Sequence, residues 1–311
     1  MAERQAPLVE GLRLDDAIAL STALSQHIAQ QAGIRVLVIK GPLAAERGLR
    51  EPRVSRDVDL LVDPDRFDDL LAAFDQYGWK PRPSADFPIL LDLHSRTLVH
   101  PKWNCDIDVH HYWPGFLGDP KDVFEQVWRR RQTMTIADVA VQTTGMADSV
   151  LVLALHSLRE AGHTPASNRK MLDYEYLLAQ VGQDGALREA VLAAAVDTDA
   201  IQTARPMLTA LGFTIDEERN PSEQLRRWNL NVHARHRMTG WVLQLREVPL
   251  WQKPGVILRA VFPTAAELRA IDPMIGAGGM ALIAGWWRRF ARGVQSMPQA
   301  VHDLRSHYRS R

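Results

Sequence analysis

Two short stretches of alternating character constrain this chain more than anything else in it. Asp57 to Val62 reads D-V-D-L-L-V, and Cys105 to His111 reads C-D-I-D-V-H-H. Side chains on a strand alternate between faces, so Asp57 and Asp59 share one face while Val58 and Leu60 turn to a core. Likewise Asp106, Asp108 and His110 share a face opposite Cys105, Ile107 and Val109. An isolated D-x-D is more often a solvated strand end, and polar residues along one side of a strand often mark an exposed edge. Two such strands in one chain change the balance. Adjacent carboxylates repel, and a divalent cation that prefers hard oxygen ligands, as Mg²⁺ does, removes the repulsion. Three or four carboxylates at one point are what two Mg²⁺ ions need to clamp the attacking and leaving oxygens of a phosphoryl or nucleotidyl transfer.

The flanking sequence supplies a scaffold for such strands. Leu14, Ile18, Leu20, Leu24 and Ile28 recur at helical spacings through residues 12–31, which predicts an amphipathic first helix. Ile34 to Ile39 is a β-branched run closed by Lys40-Gly41-Pro42 and followed by a short helical stretch, L-A-A-E-R-G-L. After the strand at Asp57 to Val62 come an Asp-rich turn at Asp63 to Asp65 and a helix from Phe67 to Tyr77. Shorter strands are expected at Ile89 to Leu93, Thr97 to Val99 and Cys105 to His111, then a helix over 120–131 and a hairpin at Thr133 to Gln142. From about residue 146 the sequence reads as one helix after another, including segments around Trp241, Arg259 and Ala281. The reading is α+β: a mixed sheet with helices over 1–145, followed by an all-helical region over 146–311.

The Lys40-Gly41 turn adds a third element. Glycine lets backbone amides approach an anion, and Lys40 can neutralise a phosphate. A lysine in such a strand-end turn is expected to be dispensable for folding. No G-x-x-x-x-G-K-[ST] occurs, so this is not a P-loop, and the nominal G-x-G-x-x-A from Gly276 to Ala281 follows no strand. H-E-x-x-H and G-x-S-x-G are also absent, which removes support for metallopeptidase and serine-hydrolase chemistry. His156 in L-A-L-H-S-L and Asp173 in R-K-M-L-D-Y-E-Y-L-L both interrupt apolar helical stripes. They read either as a buried His–Asp pair or as a wall of the active site.

The run I-K-G, then R-V-S-R-D-V-D-L-L-V, I-D-V-H-H-Y-W, L-H-S-L, R-K-M-L-D-Y-E-Y-L-L and L-R-A-V-F-P-T-A-A-E-L-R-A resembles the uncharacterised nucleotidyltransferase family of the polymerase-β-like superfamily, from about Val36 to Ala270. R-x-S-x-D-x-D-x-L-V is its most specific part. Lys40-Gly41 stands where the wider superfamily has a G-S turn. The resemblance implies a nucleotidyltransferase-like fold and transfer of a nucleoside monophosphate from a Mg²⁺-bound triphosphate, with ATP the expected donor, to an acceptor hydroxyl. It further implies Asp57 and Asp59 as metal ligands, with Asp108 as third carboxylate and proton acceptor and Asp106 its competitor. Lys40, Gly41, Arg53, Ser55 and Arg56 are then candidates for the triphosphate, and His110 for orienting a carboxylate. Some members accompany ribosomal-peptide biosynthesis genes, so a peptide or small molecule is the implied acceptor. Two rivals stand beside this reading: a catalytically silent nucleotide- or peptide-binding module on the same fold, and a kinase-like phosphotransferase.

Charge and composition bound the partners. The 37 Lys and Arg balance 37 Asp and Glu, so no global basic field holds the chain on long nucleic acid. The segment after Trp287 is locally basic, with Arg288, Arg289, Arg292, Arg305, Arg309 and Arg311 against Asp303. A lone cysteine, Cys105, excludes an intramolecular disulfide framework and a Cys-based zinc site. The start lacks the apolar run of a signal peptide, and the apolar stretch near Met274 to Trp287 is shorter than the roughly 20 residues a bilayer span needs. A cytoplasmic protein is the expectation.

Overall fold

A computed structural model describes residues 11–82, 94–160, 165–233 and 249–265, together with 268, 275, 276, 278–288, 290, 291 and 295. The strand expected at Ile89 to Leu93, the segment around Trp241, and Arg289, Arg292, Arg305, Arg309 and Arg311 lie outside the described residues.

The elements follow in the order α1 (Leu14–Gln31), β1 (Val36–Val38), α2 (Pro42–Glu46), β2 (Asp57–Val62), α3 (Phe67–Gln76), β3 (Lys80–Pro81), β4 (Ser95–Val99), β5 (Asp106–His110), α4 (Pro120–Arg129), β6 (Gln132–Ile136) and β7 (Val139–Thr143). Helices α5 (Met146–Glu160), α6 (Pro165–Gly182), α7 (Gly185–Asp197), α8 (Arg205–Ala210) and α9 (Glu223–His233) come next, with a further helix at Lys253–Val261. The change from sheet to helix therefore falls between Thr143 and Met146. Asp119 caps α4 by accepting from the amides of Lys121 (2.9 Å) and Asp122 (3.3 Å), and Asp184 caps α7 by accepting from Leu187 (3.0 Å). Ala137 and Asp138, both at positive φ, join β6 to β7, as a two-residue hairpin turn that matches strand twist requires.

The strands form one mixed sheet in the order β3-β4-β5-β2-β1-β7-β6. β2 is central, antiparallel to β1 and parallel to β5. Its two faces meet different partners. Val58, Leu60 and Val62 join Val36, Val38, Ile107 and Val109 in an apolar cluster beneath α1 and α3. The opposite face carries Leu37, Ile39 and Leu61, which pack with Trp113, Phe124 and residues of α5 to α9. Side-chain alternation puts Asp57 and Asp59 on that second face, the one roofed by the helices. This explains how carboxylates that read as a solvated strand end come to be buried. Among the described residues no helix is long and apolar enough to cross a membrane.

Candidate active site

The register of β2 against β5 builds the site. Asp57 pairs with Asp106 and Asp59 with Asp108, so the two alternating patterns present their carboxylates on adjoining parallel strands. Ligand atoms of Asp59, Asp108 and His110 lie within 4.8 Å of one another, a spacing that suits a single metal ion. Asp57 and Asp106 fall outside that group. Asp106 turns to Arg82, and Asp57 occupies the neighbouring position one pair back toward the start of β2.

Asp59 is the electrostatic centre. It is 3% exposed, and its Oδ1 meets Lys40 Nζ at 2.8 Å and His110 Nε2 at 3.2 Å. Burial works to raise the Asp59 carboxyl, but the Lys40 charge and the His110 hydrogen bond hold it well below the usual carboxylate range. The opposite happens at Asp57. Burial, followed by the negative charge of Asp59, pushes it up to about 6. Asp108 Oδ1 is buried with no hydrogen-bond partner. A buried carboxylate oxygen without a donor, beside a second carboxylate, is the arrangement a divalent cation relieves. The residues present therefore fit a hard divalent ion, with His110 adding a nitrogen to the oxygen donors.

The turn after β1 is shaped for close approach. Gly41 has φ +70°, a conformation that a side chain would strain. Its carbonyl accepts from Arg50 Nη2 at 3.0 Å, and the same nitrogen lies 3.5 Å from Ser55 Oγ. Arg50, which sequence reasoning missed, thus ties the Lys40-Gly41 turn to the segment that precedes β2. Arg56 is exposed, and its carbonyl accepts from the Asp106 amide at 3.2 Å. Lys40 lies 4.9 Å from the centroid of the buried Trp113 ring, a cation–π contact beneath its ion pair. With its side chain only 13% exposed and paired to Asp59, Lys40 is a largely buried counter-charge and not the surface residue that a strand-end turn suggests.

The helices contribute more than packing. Arg53 engages both oxygens of Asp173 on α6, each at 2.7 Å, which joins the segment before β2 to the helical roof. Of the two readings of His156 and Asp173, the buried pair is not formed: Asp173 serves Arg53, and the His156 ring faces Trp113 with centroids 6.3 Å apart. His94 lies 5.5 Å from the His110 ring and accepts from Arg159 of α5 at 3.3 Å. Burial, then the charge of Arg159, lowers His94 to about 2, so it is a neutral ring at ordinary pH.

Residues 22–199 match the family model described as an uncharacterised nucleotidyltransferase. No curated protein matches the chain. Among solved structures, an antigenic nucleotidyltransferase-like protein from Paracoccidioides brasiliensis is similar at 14% identity, over 65% of this chain and 94% of its own, with a TM-score of 0.37. The antibiotic-resistance factor ANT(2'')-Ia is similar at 13% identity over 62% and 95%, with a TM-score of 0.38. The lincosamide antibiotic adenylyltransferase LnuA, in its lincomycin-bound structure, is similar at 13% identity over 51% and 96%, with a TM-score of 0.34.

Proposed function

The chain belongs to the uncharacterised nucleotidyltransferase family, and from that premise we propose that it moves a nucleoside monophosphate from a nucleoside triphosphate, ATP first, to the hydroxyl of a peptide or small-molecule acceptor. The observation that carries this reading is the pairing of Asp59 with Asp108 across parallel strands, with the Asp108 Oδ1 buried and lacking a donor. In the transfer the acceptor oxygen bonds to the α-phosphorus as the bond to the bridging oxygen breaks, and pyrophosphate leaves with that electron pair. The acceptor proton passes to a carboxylate, for which Asp108 is the choice.

Asp59 and Asp108 are the residues that would hold Mg²⁺, with Asp57 one pair back on β2 as a further carboxylate for it, and the ion would supply Lewis-acid stabilisation of the charge developing on the phosphoryl oxygens. Burial first, and the charge of Asp59 second, keep Asp57 raised, and a cation beside it would oppose both effects. His110 fixes the orientation of Asp59 through Nε2. Gly41 permits the turn that brings Lys40 to the carboxylates, and Ser55 and Arg56 lie on the approach to β2 with hydroxyl and charge for the triphosphate. Zero net charge favours a peptide or small molecule over long RNA as acceptor.

The test is label transfer. The protein, Mg²⁺ and ATP labelled at the α or the γ phosphate are incubated with pools of peptides and small molecules. Transfer of the α label alone supports the reading; transfer of the γ label replaces it with a phosphotransferase. Nucleotide binding without transfer of either label to any pool favours the silent binding module. Asp108→Asn should retain nucleotide binding within a few fold and lose α-label transfer.

A further inference from the structure

The chain is neutral as a whole but not along its length. Residues 1–220 carry 23 Lys and Arg against 32 Asp and Glu, whereas residues 221–311 carry 14 against 5, a net −9 followed by +9. The basic part is also where apolar side chains meet solvent. Of sixteen large hydrophobic side chains exposed among the described residues, nine fall between Leu250 and Phe290. Four of them are ordered along one helix, which covers residues 279–288. Gly285 marks the packed side of that helix, since a Cβ there would lie 2.9 Å from side-chain atoms of both Leu268 and Ile275. Trp286 follows it, donating through Nε1 to the Pro263 carbonyl at 3.0 Å, with its ring 6.0 Å from that of Phe262. Met280, Ile283, Trp287 and Phe290, three or four residues apart, form a second apolar stripe on another side, and this one faces out: Met280 is 86% and Trp287 65% exposed.

A helix at the surface of a water-soluble domain turns its apolar stripe to the core and its charges to water, so a stripe left outside calls for an apolar cover. The charge beside it selects which one. Arg288, Arg289 and Arg292 stand within two residues of Trp287 or Phe290, in the part of the chain with net +9. Tryptophan suits the headgroup level of a bilayer, aliphatic side chains its acyl boundary, and arginines the anionic headgroups above. A second copy meeting stripe to stripe would instead bring like charge to like. RNA offers bases for Trp287 to stack on but no hydrocarbon for Met280 and Ile283. We propose that the stripe of Met280, Ile283, Trp287 and Phe290 docks the protein peripherally on an anionic lipid bilayer. This surface is independent of the nucleotidyl-transfer reading.

The test sediments the full chain with vesicles of phosphatidylcholine alone and of phosphatidylcholine and phosphatidylglycerol in equal parts. Binding to the mixed vesicles should exceed binding to phosphatidylcholine by about tenfold or more and weaken as salt is raised. Met280→Ser with Ile283→Ser should lose about tenfold or more of that binding. The double variant should melt as wild type does, because both side chains are exposed. If it fails to fold, Trp287→Ser replaces it with the same expected loss. Arg289→Gln with Arg292→Gln should weaken binding to the mixed vesicles and leave binding to phosphatidylcholine unchanged. The proposal is overturned if the wild type ignores the mixed vesicles, binds both kinds equally, or binds no less when Met280 and Ile283 are replaced. Self-association in sedimentation equilibrium, or binding of single-stranded RNA, that the double variant loses while vesicles are ignored assigns the stripe to that partner instead.

Discussion

Lys40 Nζ lies 2.8 Å from Asp59 Oδ1, making a lysine from the end of one strand the counter-charge of a buried carboxylate on the next. Removing one partner of such a pair strands the other charge. Lys40→Ala should cost about 3–5 kcal/mol, read by urea or thermal unfolding of the metal-free protein. Lys40→Ala combined with Asp59→Asn should recover most of that loss. Millimolar Mg²⁺ should raise the melting temperature of Lys40→Ala more than that of the wild type, since the cation meets an unopposed carboxylate. A single variant that melts within a degree of wild type would deny Lys40 this role.

Asp108 makes the opposite prediction. Its Oδ1 has no donor and Asp59 is its neighbour across the strand pair, so Asp108→Asn should leave the metal-free protein as stable as wild type or slightly more so. The rise in melting temperature with Mg²⁺ and a triphosphate should largely survive in Asp108→Asn and disappear in Asp57→Asn with Asp59→Asn, whereas the rise with Mg²⁺ alone should shrink in Asp108→Asn. Retention of the full rise with Mg²⁺ alone in Asp108→Asn would move the cation site away from β5.

The alternating strands and their turn were legible because a period of two is written directly in residue order. β2 begins at Asp57 and ends at Val62, as its pattern predicts, and the hairpin at 132–143 falls within a residue of its expected span. Pairing was not legible. Nothing in the sequence says that β5, the third strand after β2, returns to lie beside it, and that adjacency creates the site. Arg159 escaped notice for a related reason. Charges on amphipathic helices normally face water, and only the packing of α5 over the sheet brings Arg159 to the His94 ring. His156 and Asp173 looked like partners because each breaks an apolar stripe, yet Asp173 faces Arg53, which lies 120 residues earlier in the chain.

Acid should destabilise the protein before its ordinary carboxylates titrate, with Asp57, raised to about 6, partly opposing the loss over the same window. Burial lowers His94 to about 2 and holds His156 well below its ordinary value, so both stay neutral in the fold. The unfolded chain takes up those protons near pH 6.5. A base whose folded pKa is depressed contributes full stability above the unfolded value and loses it as pH falls below. The expected slope between pH 6 and 5 is up to about 1.4 kcal/mol per pH unit for each histidine. Denaturant melts across that window measure it, and His94→Gln should flatten the slope; an identical slope would exclude His94.

A second ion pair tests how the helices are fastened to the sheet. Arg130, at the end of α4, binds Asp148 of α5 at 2.8 Å and Asp197 of α7, and the Asp148 side chain is wholly buried. Burial raises the Asp148 carboxyl even though Arg130 opposes the shift. Arg130→Met should therefore cost about 3–5 kcal/mol, and Asp148→Asn in the same chain should restore part of it. Purely additive losses in that double-mutant cycle would mean the two residues act separately.

The apolar face of Leu37, Ile39 and Leu61 is covered in part by Val123, Phe124 and Val127 of α4, and the rest of its cover comes from helices that follow the sheet in the chain. At a synthesis rate of about 5–20 residues per second, several seconds separate the appearance of β7 from that of α9. Through that interval a nascent chain carries a completed sheet with one face only partly covered. A stalled or prematurely terminated product would therefore present an apolar surface to its neighbours.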